Sequence, residues 1–292
     1  LMDLDPIGNR QLVTVRHEVD PPLALLPRCP HRSRFGRVPM VVDMELPPVF
    51  EIRHSSHRIL NPFDATKLAT LGGALGLERG QRVLDLACGK GEMLCTWARD
   101  HGIVGTGVDI NPPWVAAAQA RASELGVSDR VTILHDNATD WVSTDPVDIA
   151  SCVGATWVGG GVSGTIELLR RSLRSGGMIL IGEPYWRAEP PDQETVEGCH
   201  ATSRDTFQTL PGLVRLFGDL GYDLVEMVLA DEDTWDRYAA AQWLNIRRFL
   251  EANPDDPIAD ELRDELRTAP IQHVRFLRVW LGWGVFVLMP RS

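Results

Sequence analysis

The segment that most constrains the fold is a glycine-rich stretch at residues 81–97, with the sequence QRVLDLACGKGEMLCTW. Apolar side chains at residues 83–86 predict a short buried strand, with Asp85 close to its end. Gly89 and Gly91 then predict a turn, and apolar residues at helical spacing follow them. Because glycine lets backbone N–H groups approach a ligand, and a helix N-terminus favours negative charge, this stretch predicts a binding mouth.

A second apolar run, residues 103–108, ends at Asp109, about 20 residues after the glycines, where nucleotide-binding folds place the acid that binds a ribose. A nicotinamide-dinucleotide site would carry G-x-G-x-x-G/A, with a third small residue that lets the helix pack on the strand. Here that position is Leu94, and Asp85 would lie beside the pyrophosphate. A cationic ligand suits this carboxylate better, so a nicotinamide dehydrogenase is the disfavoured interpretation.

Asp85, Ala87, Gly89 and Gly91 form the pattern D-x-A-x-G-x-G, which resembles motif I of the class I S-adenosylmethionine (SAM) methyltransferases. Ala87 stands where that motif usually has its first glycine. From about residue 44 to residue 291 the chain resembles a bacterial group of these enzymes that largely lacks assigned substrates, in the stretches SSHRILNPF, GEMLCTWARDHGI, CVGATWVGGG, GTIELL, IGEPYW, LGYDLVEMVLAD, WDRY, RRFLEANPDD and LGWGVF. The resemblance implies SAM as the cofactor and a small-molecule methyl acceptor, but no particular acceptor.

The resemblance also implies roles for the residues around the glycine stretch. Asp85, Ala87, Gly89 and Gly91 would surround the amino-acid part of SAM. Asp109 would bind the ribose hydroxyls. These residues form one half of the cofactor site that the resemblance implies.

The other half would hold the adenine, with Ile110 packed on the base. In the resembled family, the acid that recognises the adenine amino group precedes an alanine. Here the residue before Ala138 is Asn137, with Asp136 before it. Asn137 retains a carbonyl oxygen that accepts a hydrogen bond, but it lacks the charge of an acid. Either Asn137 recognises the amino group or Asp136 has taken this role.

The order of apolar and amphipathic segments predicts the fold. Near-continuous apolar strands that alternate with amphipathic helices form a parallel sheet covered on both faces, and ligands bind at the carboxyl ends of its strands. The predicted strands are residues 83–86, 103–109, 131–134, 147–153, 178–181, 222–230 and 284–289. We therefore predict an α/β fold: a doubly wound, mostly parallel seven-stranded sheet whose last strand is antiparallel, with helical cap insertions.

Local signals predict several boundaries of these elements. Asn61 is predicted to cap the helix before the glycine stretch, with Pro62 in its first turn. Asn111 is predicted to cap the helix that follows the second strand. Gly176 and Gly177 are predicted to end the helix before the fifth strand.

Composition divides the chain into two parts. Residues 1–43 contain six prolines and no sustained helical or strand period, which predicts a flexible N-terminal extension. A second interpretation is that Met44 is the true start of the protein. Residues 44–292 are predicted to form the methyltransferase domain, with cap insertions at about 185–205 and 231–278. The first insertion is predicted to be irregular and the second helical.

Methyl transfer from a sulfonium requires no nucleophilic side chain or metal, so the protein must align the acceptor, exclude water and in some cases remove a proton. The predicted catalytic residues are Glu183 and Tyr185, after the fifth strand, and His57, from the segment before the glycine stretch. Glu183 is either a general base or a turn cap, and His57 either faces the ligand or is solvated. Trp157 and Trp186 either wall the acceptor pocket or pack in the core.

The formal net charge of −11 disfavours a protein that binds nucleic acid through a basic face. The sequence shows no apolar run of membrane-spanning length and no signal-peptide pattern, so we predict no membrane partner and a cytoplasmic location. Its five cysteines contain no C-x-x-C pair, which predicts reduced thiols and no metal site. A non-catalytic SAM-binding sensor or partner subunit is the alternative function, and the oligomeric state is left open.

Overall fold

The computed structural model describes residues 47–291, and a seven-stranded sheet forms its centre. The strands are β1 (Arg82–Leu86), β2 (Val104–Asp109), β3 (Val131–His135), β4 (Val147–Val153), β5 (Leu173–Trp186), β6 (Tyr222–Leu229) and β7 (Leu281–Pro290). Their order across the sheet is β3-β2-β1-β4-β5-β7-β6. Strands β1 to β5 are parallel, and β7 is antiparallel to both β5 and β6. The predicted fold class, with its antiparallel last strand, is confirmed.

Helices precede the sheet and connect its strands. They are α1 (Pro48–Arg53), α2 (Ala65–Ala74), α3 (Glu92–His101), α4 (Pro112–Glu124), α5 (Val162–Arg170), α6 (Gln193–Gly198), α7 (Leu210–Asp219), α8 (Glu232–Ala252), α9 (Ala259–Gln272) and α10 (Arg278–Trp280). Short 3₁₀ turns cover Thr156–Gly159 and Arg204–Thr206, and a π-helical turn covers His273–Leu277. Among residues 47–291, no helix combines the length and the apolar character needed to span a membrane.

The two faces of the sheet carry separate apolar clusters, because successive side chains of a strand point to opposite faces. Val83 of β1 belongs to the cluster that includes the buried side chains of α2, α3 and α4. Leu84 and Leu86 belong to the cluster of α5 and α7. The near-continuous apolar runs seen in the sequence are therefore strands buried on both faces, as the sequence predicts.

Two of the predicted boundaries have different outcomes. Asn111 caps α4, since its side-chain oxygen accepts a hydrogen bond from the N–H of Trp114 at 3.3 Å. The prediction that Asn61 caps α2 is wrong, because Asp64 does so and accepts from the N–H of Lys67 at 2.8 Å. Asn61 instead donates from Nδ2 to the carbonyl of Val153 at 3.1 Å.

Strand β5 is longer than predicted at both ends. Its first residues belong to the strand and not to a helix, since α5 ends at Arg170 and Leu173 pairs with Val147. The prediction that Gly176 and Gly177 end a helix is therefore wrong; both lie where the β4–β5 register shifts. At the other end, the strand continues through Trp186 because β7 pairs with it.

The cap regions differ from the sequence prediction in one respect. Residues 185–205, predicted to be irregular, contain the end of β5 and the helix α6. Residues 231–278 are helical, as predicted, and form α8, α9 and the turns that follow. The predicted extension, residues 1–43, lies outside the described residues. The division of the chain into an extension and a domain thus stays a prediction.

Candidate active site

The turn between β1 and α3 has three residues in the left-handed backbone region. They are Ala87, Gly89 and Gly91, with φ of 58°, 54° and 68°. A Cβ on Gly89 would lie 2.9 Å from Cδ1 of Leu60, and one on Gly91 would lie 2.9 Å from Cβ of Ala118. The two glycines are thus required by both conformation and space, whereas Ala87 adopts a backbone that glycine would adopt at lower cost. Residues 87–91 are called the glycine turn below.

Asp85, at the end of β1, is a deeply buried carboxylate. Asp85 is 4% exposed, and its Oδ1 accepts a hydrogen bond from the Ser151 hydroxyl at 2.7 Å. Burial raises the pKa of Asp85 to about 7, against the opposing effect of Ser151, and the nearby Asp109 raises it further. Among the described residues no ion pair includes Asp85. An ammonium group of a ligand would supply the missing positive charge, so this carboxylate fits the amino-acid part of SAM.

Asp109, at the end of β2, joins two loops through its carboxylate. Oδ2 accepts from the N–H of Gly89 at 2.7 Å, and Oδ1 accepts from the N–H of Asn111 at 2.9 Å. Burial raises the pKa of Asp109, and these two hydrogen bonds oppose that rise. Each carboxylate oxygen has a second lone pair, so Asp109 can hold the glycine turn and still accept from ribose hydroxyls. Ile110 is half-buried, and its carbonyl lies 3.0 Å from Nε2 of His135.

The loop after β3 holds the residues predicted to meet the adenine. The N–H of Asp136 donates to the carbonyl of Asp109 at 3.1 Å, which brings this loop beside the residue predicted to bind the ribose. Asn137 is exposed, and its side-chain oxygen accepts from the N–H of Thr139 at 2.9 Å. That oxygen therefore already accepts one hydrogen bond within its own turn, and so does Oδ1 of Asp136, which accepts from the N–H of Asn137 at 2.8 Å. Ala138 is buried beneath them.

Glu183 and Tyr185 lie on the same face of β5, two residues apart, in the part that pairs with β7. Oε2 of Glu183 accepts from the Thr156 hydroxyl at 2.8 Å, and burial raises the pKa of Glu183 to about 7. Burial also raises the pKa of Tyr185. Its ring covers Gly282 of β7, where a Cβ would lie 2.3 Å from the ring. Glu183 is thus oriented within a strand and does not cap a turn.

The strand register relates Glu183 to the glycine turn. Asp85 pairs with Ser151 across β1 and β4, and Ser151 pairs with Leu180 across β4 and β5. Glu183 lies three residues beyond Leu180, which corresponds to about 10 Å along the strand direction. Glu183 therefore lies at the same carboxyl edge of the sheet as the predicted cofactor residues, further out along it, with its side chain on the opposite face from that of Asp85.

Residues 54–61, called the strap, lie between α1 and α2 and contain His57. Nε2 of His57 donates to the carbonyl of Tyr238 on α8 at 3.1 Å, and its Nδ1 is buried without a hydrogen-bond partner among the described residues. Burial lowers the pKa of His57, so the ring is neutral and the lone pair is on Nδ1. His54 is buried beside it, and burial lowers its pKa to about 3.

The two tryptophans have separate environments. Trp186 is 1% exposed, and its indole N–H donates to the carbonyl of Arg204 at 2.8 Å, which is a packing role. Trp157 is 37% exposed, at the end of β4. Of the residues described, no three His, Cys, Asp or Glu side chains are grouped to hold a metal ion.

Sequence reasoning missed two residues that support the site. Ser151 supplies the hydroxyl that holds Asp85, and the signal was a serine inside the otherwise apolar run 149–153 of β4. Lys90 donates from Nζ to the carbonyls of His54 and His57 at 2.7 and 2.8 Å. No pattern in the sequence indicates that partner, because the contact joins segments that are more than 30 residues apart.

Comparison with known proteins shows a family and a relative to which this chain is similar. Residues 83–177 match a family described as a methyltransferase domain. The Escherichia coli K12 protein YjhP, which is itself uncharacterized, is 55% identical over 248 residues, covering 85% of this chain and 100% of YjhP.

Two solved structures are similar over the same extent. A SAM-dependent methyltransferase from Geobacter sulfurreducens, in complex with S-adenosylhomocysteine (SAH), is 60% identical with a TM-score of 0.83. One from Thiobacillus denitrificans, also with SAH, is 54% identical with a TM-score of 0.83. In each case 85% of this chain and 100% of the other are covered.

Proposed function

The chain belongs to the SAM-dependent methyltransferases, and from this premise we propose that it transfers a methyl group to a small-molecule acceptor by direct in-line displacement. SAM is the cofactor of the family, and its positively charged sulfur supplies an activated methyl group. The chain's own residues then have to hold the cofactor, align the acceptor and accept a proton.

The observation that carries the proposal of a small acceptor is the cover over the carboxyl edge of the sheet. Leu60 of the strap lies against Gly89, and Asn61 bonds the carbonyl of Val153 at the end of β4. Helix α8 holds the strap from its other side through His57 and Tyr238. A ligand site covered in this way suits an acceptor that fits beneath the strap, and it suits a folded macromolecule poorly.

For cofactor binding we propose the residues that the resemblance implies. Asp85 is suited to an ammonium group because it is buried with one hydroxyl donor. Asp109 and the glycine turn would hold the ribose and the amino-acid part. At the adenine, Asp136 is the better candidate, since its Oδ2 remains beside the Oδ1 that accepts from Asn137, whereas the one side-chain oxygen of Asn137 accepts from Thr139.

For proton removal we propose Glu183 as the general base. The Thr156 hydroxyl donates to one oxygen of Glu183 and orients it. The raised pKa of Glu183 is close to neutral pH, where a general base is most effective. His57 presents a neutral ring with an unpaired Nδ1, and Tyr185 a buried hydroxyl, and either could orient the acceptor. These roles, the cytoplasmic location and the exclusion of nucleic-acid and membrane partners remain proposals.

The test is transfer of label from methyl-labelled SAM to a cell extract divided into small-molecule, protein and nucleic-acid fractions. We expect label in the small-molecule fraction, and a Glu183→Gln protein should transfer about 100-fold more slowly while binding SAH normally. Label in protein or nucleic acid would contradict the small acceptor. Binding of SAH without transfer to any fraction would favour the alternative of a non-catalytic sensor or partner subunit.

A further inference from the structure

Lys90 lies inside the glycine turn, yet its side chain points to the strap. Its two neighbours, Gly89 and Gly91, both have left-handed φ, and the N–H of Gly89 donates to Asp109. From this position Nζ donates to the carbonyls of His54 and His57. A change in the backbone of the glycine turn therefore moves the donor that holds the strap.

The strap carbonyls are well suited to this donor. The carbonyl of His54, directly after α1, accepts from the N–H of His57 at 3.1 Å, and its second lone pair is available to Nζ of Lys90. A cation at the C-terminus of a helix is also favoured by the helix dipole. Lys90 is half-buried, so water reaches these two hydrogen bonds less freely than it would at an exposed lysine, and burial lowers the pKa of Lys90. Hydrogen bonds from a charged donor in such a place are among the stronger ones in proteins.

The cap holds the strap from the opposite side. The hydroxyl of Tyr238 on α8 lies 2.8 Å from Nε2 of His54 and donates to the carbonyl of Leu60 at 3.0 Å. Asn245, two turns further along the same face of α8, donates to the carbonyl of Arg53 at 2.8 Å. Glu265 of α9 accepts two hydrogen bonds from Arg53, at 2.6 and 2.8 Å. The strap thus lies between the cap helices and Lys90.

The strap also crosses the site that it would close. Leu60 lies against Gly89, where a Cβ would approach it to 2.9 Å, and Asn61 lies against Gly154, where a Cβ would approach its Oδ1 to 2.2 Å. These two glycines follow β1 and β4, the strands whose ends hold Asp85 and Ser151. A ligand at the glycine turn is therefore covered by the strap.

We propose that Lys90 is a positioning residue that couples the glycine turn to the strap, so that cofactor bound at the turn closes the strap and α8 over the acceptor. The coupling rests on the cofactor site proposed above. Lys90 does not touch the reacting atoms; it acts through the carbonyls of His54 and His57. The turn that binds the cofactor thereby also assembles the cover of the acceptor site.

The test is hydrogen exchange of the full chain, measured with and without saturating SAH. In the unmodified protein, SAH should slow exchange both at the glycine turn and in the strap. In Lys90→Met, exchange in the strap should be about tenfold faster even without SAH, because two charge-assisted hydrogen bonds are lost. Saturating SAH should still protect the glycine turn of this variant, but it should no longer protect the strap.

Three further variants define the outcome. Lys67→Met is the matched control, since Lys67 pairs with Asp231 at the start of α8 at 2.9 Å and does not contact the strap carbonyls; its strap should respond to SAH normally. Tyr238→Phe should loosen the strap from the cap side. Lys90→Arg should restore part of the response, because a guanidinium can also donate to two carbonyls.

Two results would overturn the proposal, and they differ from failure of the cofactor assignment. One is equal protection of the strap by SAH in Lys90→Met and in the unmodified protein. The other is protection of the glycine turn with no response of the strap in either protein. Absence of protection at the glycine turn itself would instead refute the cofactor site, and the coupling with it.

Discussion

Asp85 is a buried carboxylate, and burial raises its pKa to about 7. It therefore remains largely protonated up to neutral pH until a cation reaches it. The folded protein therefore binds a proton that the unfolded chain has released, and this side chain's contribution to stability is lost as pH rises from about 4 to about 7. An ammonium ligand reverses the preference and favours the charged form.

We accordingly expect SAH affinity to rise with pH by up to about tenfold per unit between about pH 5 and pH 7, and then to level off. Calorimetry in buffers of different ionisation enthalpy measures the proton released on binding. Asp85→Asn should bind more weakly and show no such release. A flat affinity profile in the unmodified protein would mean that no ligand ammonium meets Asp85.

Ala87 has a backbone conformation that costs an L-residue about 1–2 kcal/mol. Ala87→Gly should relieve this cost, less the greater entropy of glycine in the unfolded chain, for a net gain of about 0.5–1 kcal/mol. Urea unfolding measures the gain. As a control, Ala98→Gly, at a buried position inside α3, should lose stability. A loss in Ala87→Gly would indicate that the alanine methyl contributes packing that outweighs the strain.

Asp109 has a structural role as well as its proposed ribose contact, since it accepts from the backbone of both Gly89 and Asn111. Asp109→Ala leaves two buried N–H groups without acceptors, so we expect a loss of about 2–4 kcal/mol in unfolding free energy and at least about tenfold weaker SAH binding. Thermal unfolding and calorimetry measure the two effects separately. Asp136→Ala, at the exposed adenine side, should weaken SAH binding without a comparable loss of stability.

At the residue scale, the sequence singled out the acids and glycines of the proposed cofactor site because these residue types recur at fixed spacing along one segment. It did not identify their partners. Ser151 is 66 residues from Asp85, and Thr156 is 27 residues from Glu183. Strand pairing sets these contacts, and no local pattern encodes which hydroxyl of a neighbouring strand end reaches which carboxylate. A contact distant in sequence also explains why Asp64, and not Asn61, caps α2, since the side chain of Asn61 bonds the carbonyl of Val153.

At the scale of an element, α2 offers two adjacent glycines with opposite surroundings. A Cβ on Gly72 would lie 2.8 Å from Nε1 of Trp97, whereas a Cβ on Gly73 would meet nothing within 4 Å. Gly73→Ala should therefore stabilise the protein by about 0.5–1 kcal/mol through helix propensity. Gly72→Ala should destabilise it by about 1–3 kcal/mol, because Trp97 is fully buried and cannot move away. Equal effects of the two changes on the urea midpoint would contradict this packing of α2 on α3.

The length of β5 shows why element boundaries were harder to predict than elements. Apolar residues at 178–181 identified the strand, since four consecutive apolar side chains mark a strand buried on both faces. Its extension through Glu183 and Tyr185 depends on pairing with Gly284 and Gly282 of β7, about 100 residues later in the chain. Both proposed catalytic side chains therefore lie within a strand, on a rigid element, whereas the sequence analysis placed them after its end.

At the scale of the whole molecule, 85% of this chain covers the full length of YjhP and of the two SAH-bound relatives. We expect a protein that begins at residue 44 to bind SAH with the affinity of the full chain, within about threefold. Calorimetry on both proteins measures this. Loss of binding on truncation would mean that residues 1–43 contribute to the site and are not an extension of it.

The position of β7 in the sheet has a consequence for biosynthesis. The final ten-residue strand inserts between β5 and β6, and within residues 47–291 it is the one neighbour that β6 has. β6 precedes β7 in the chain, so during translation β6 has two open edges and β5 has one until β7 has left the ribosome. A premature stop or a frameshift before β7 would thus leave β5 and β6 without the strand between them and the chain prone to aggregate.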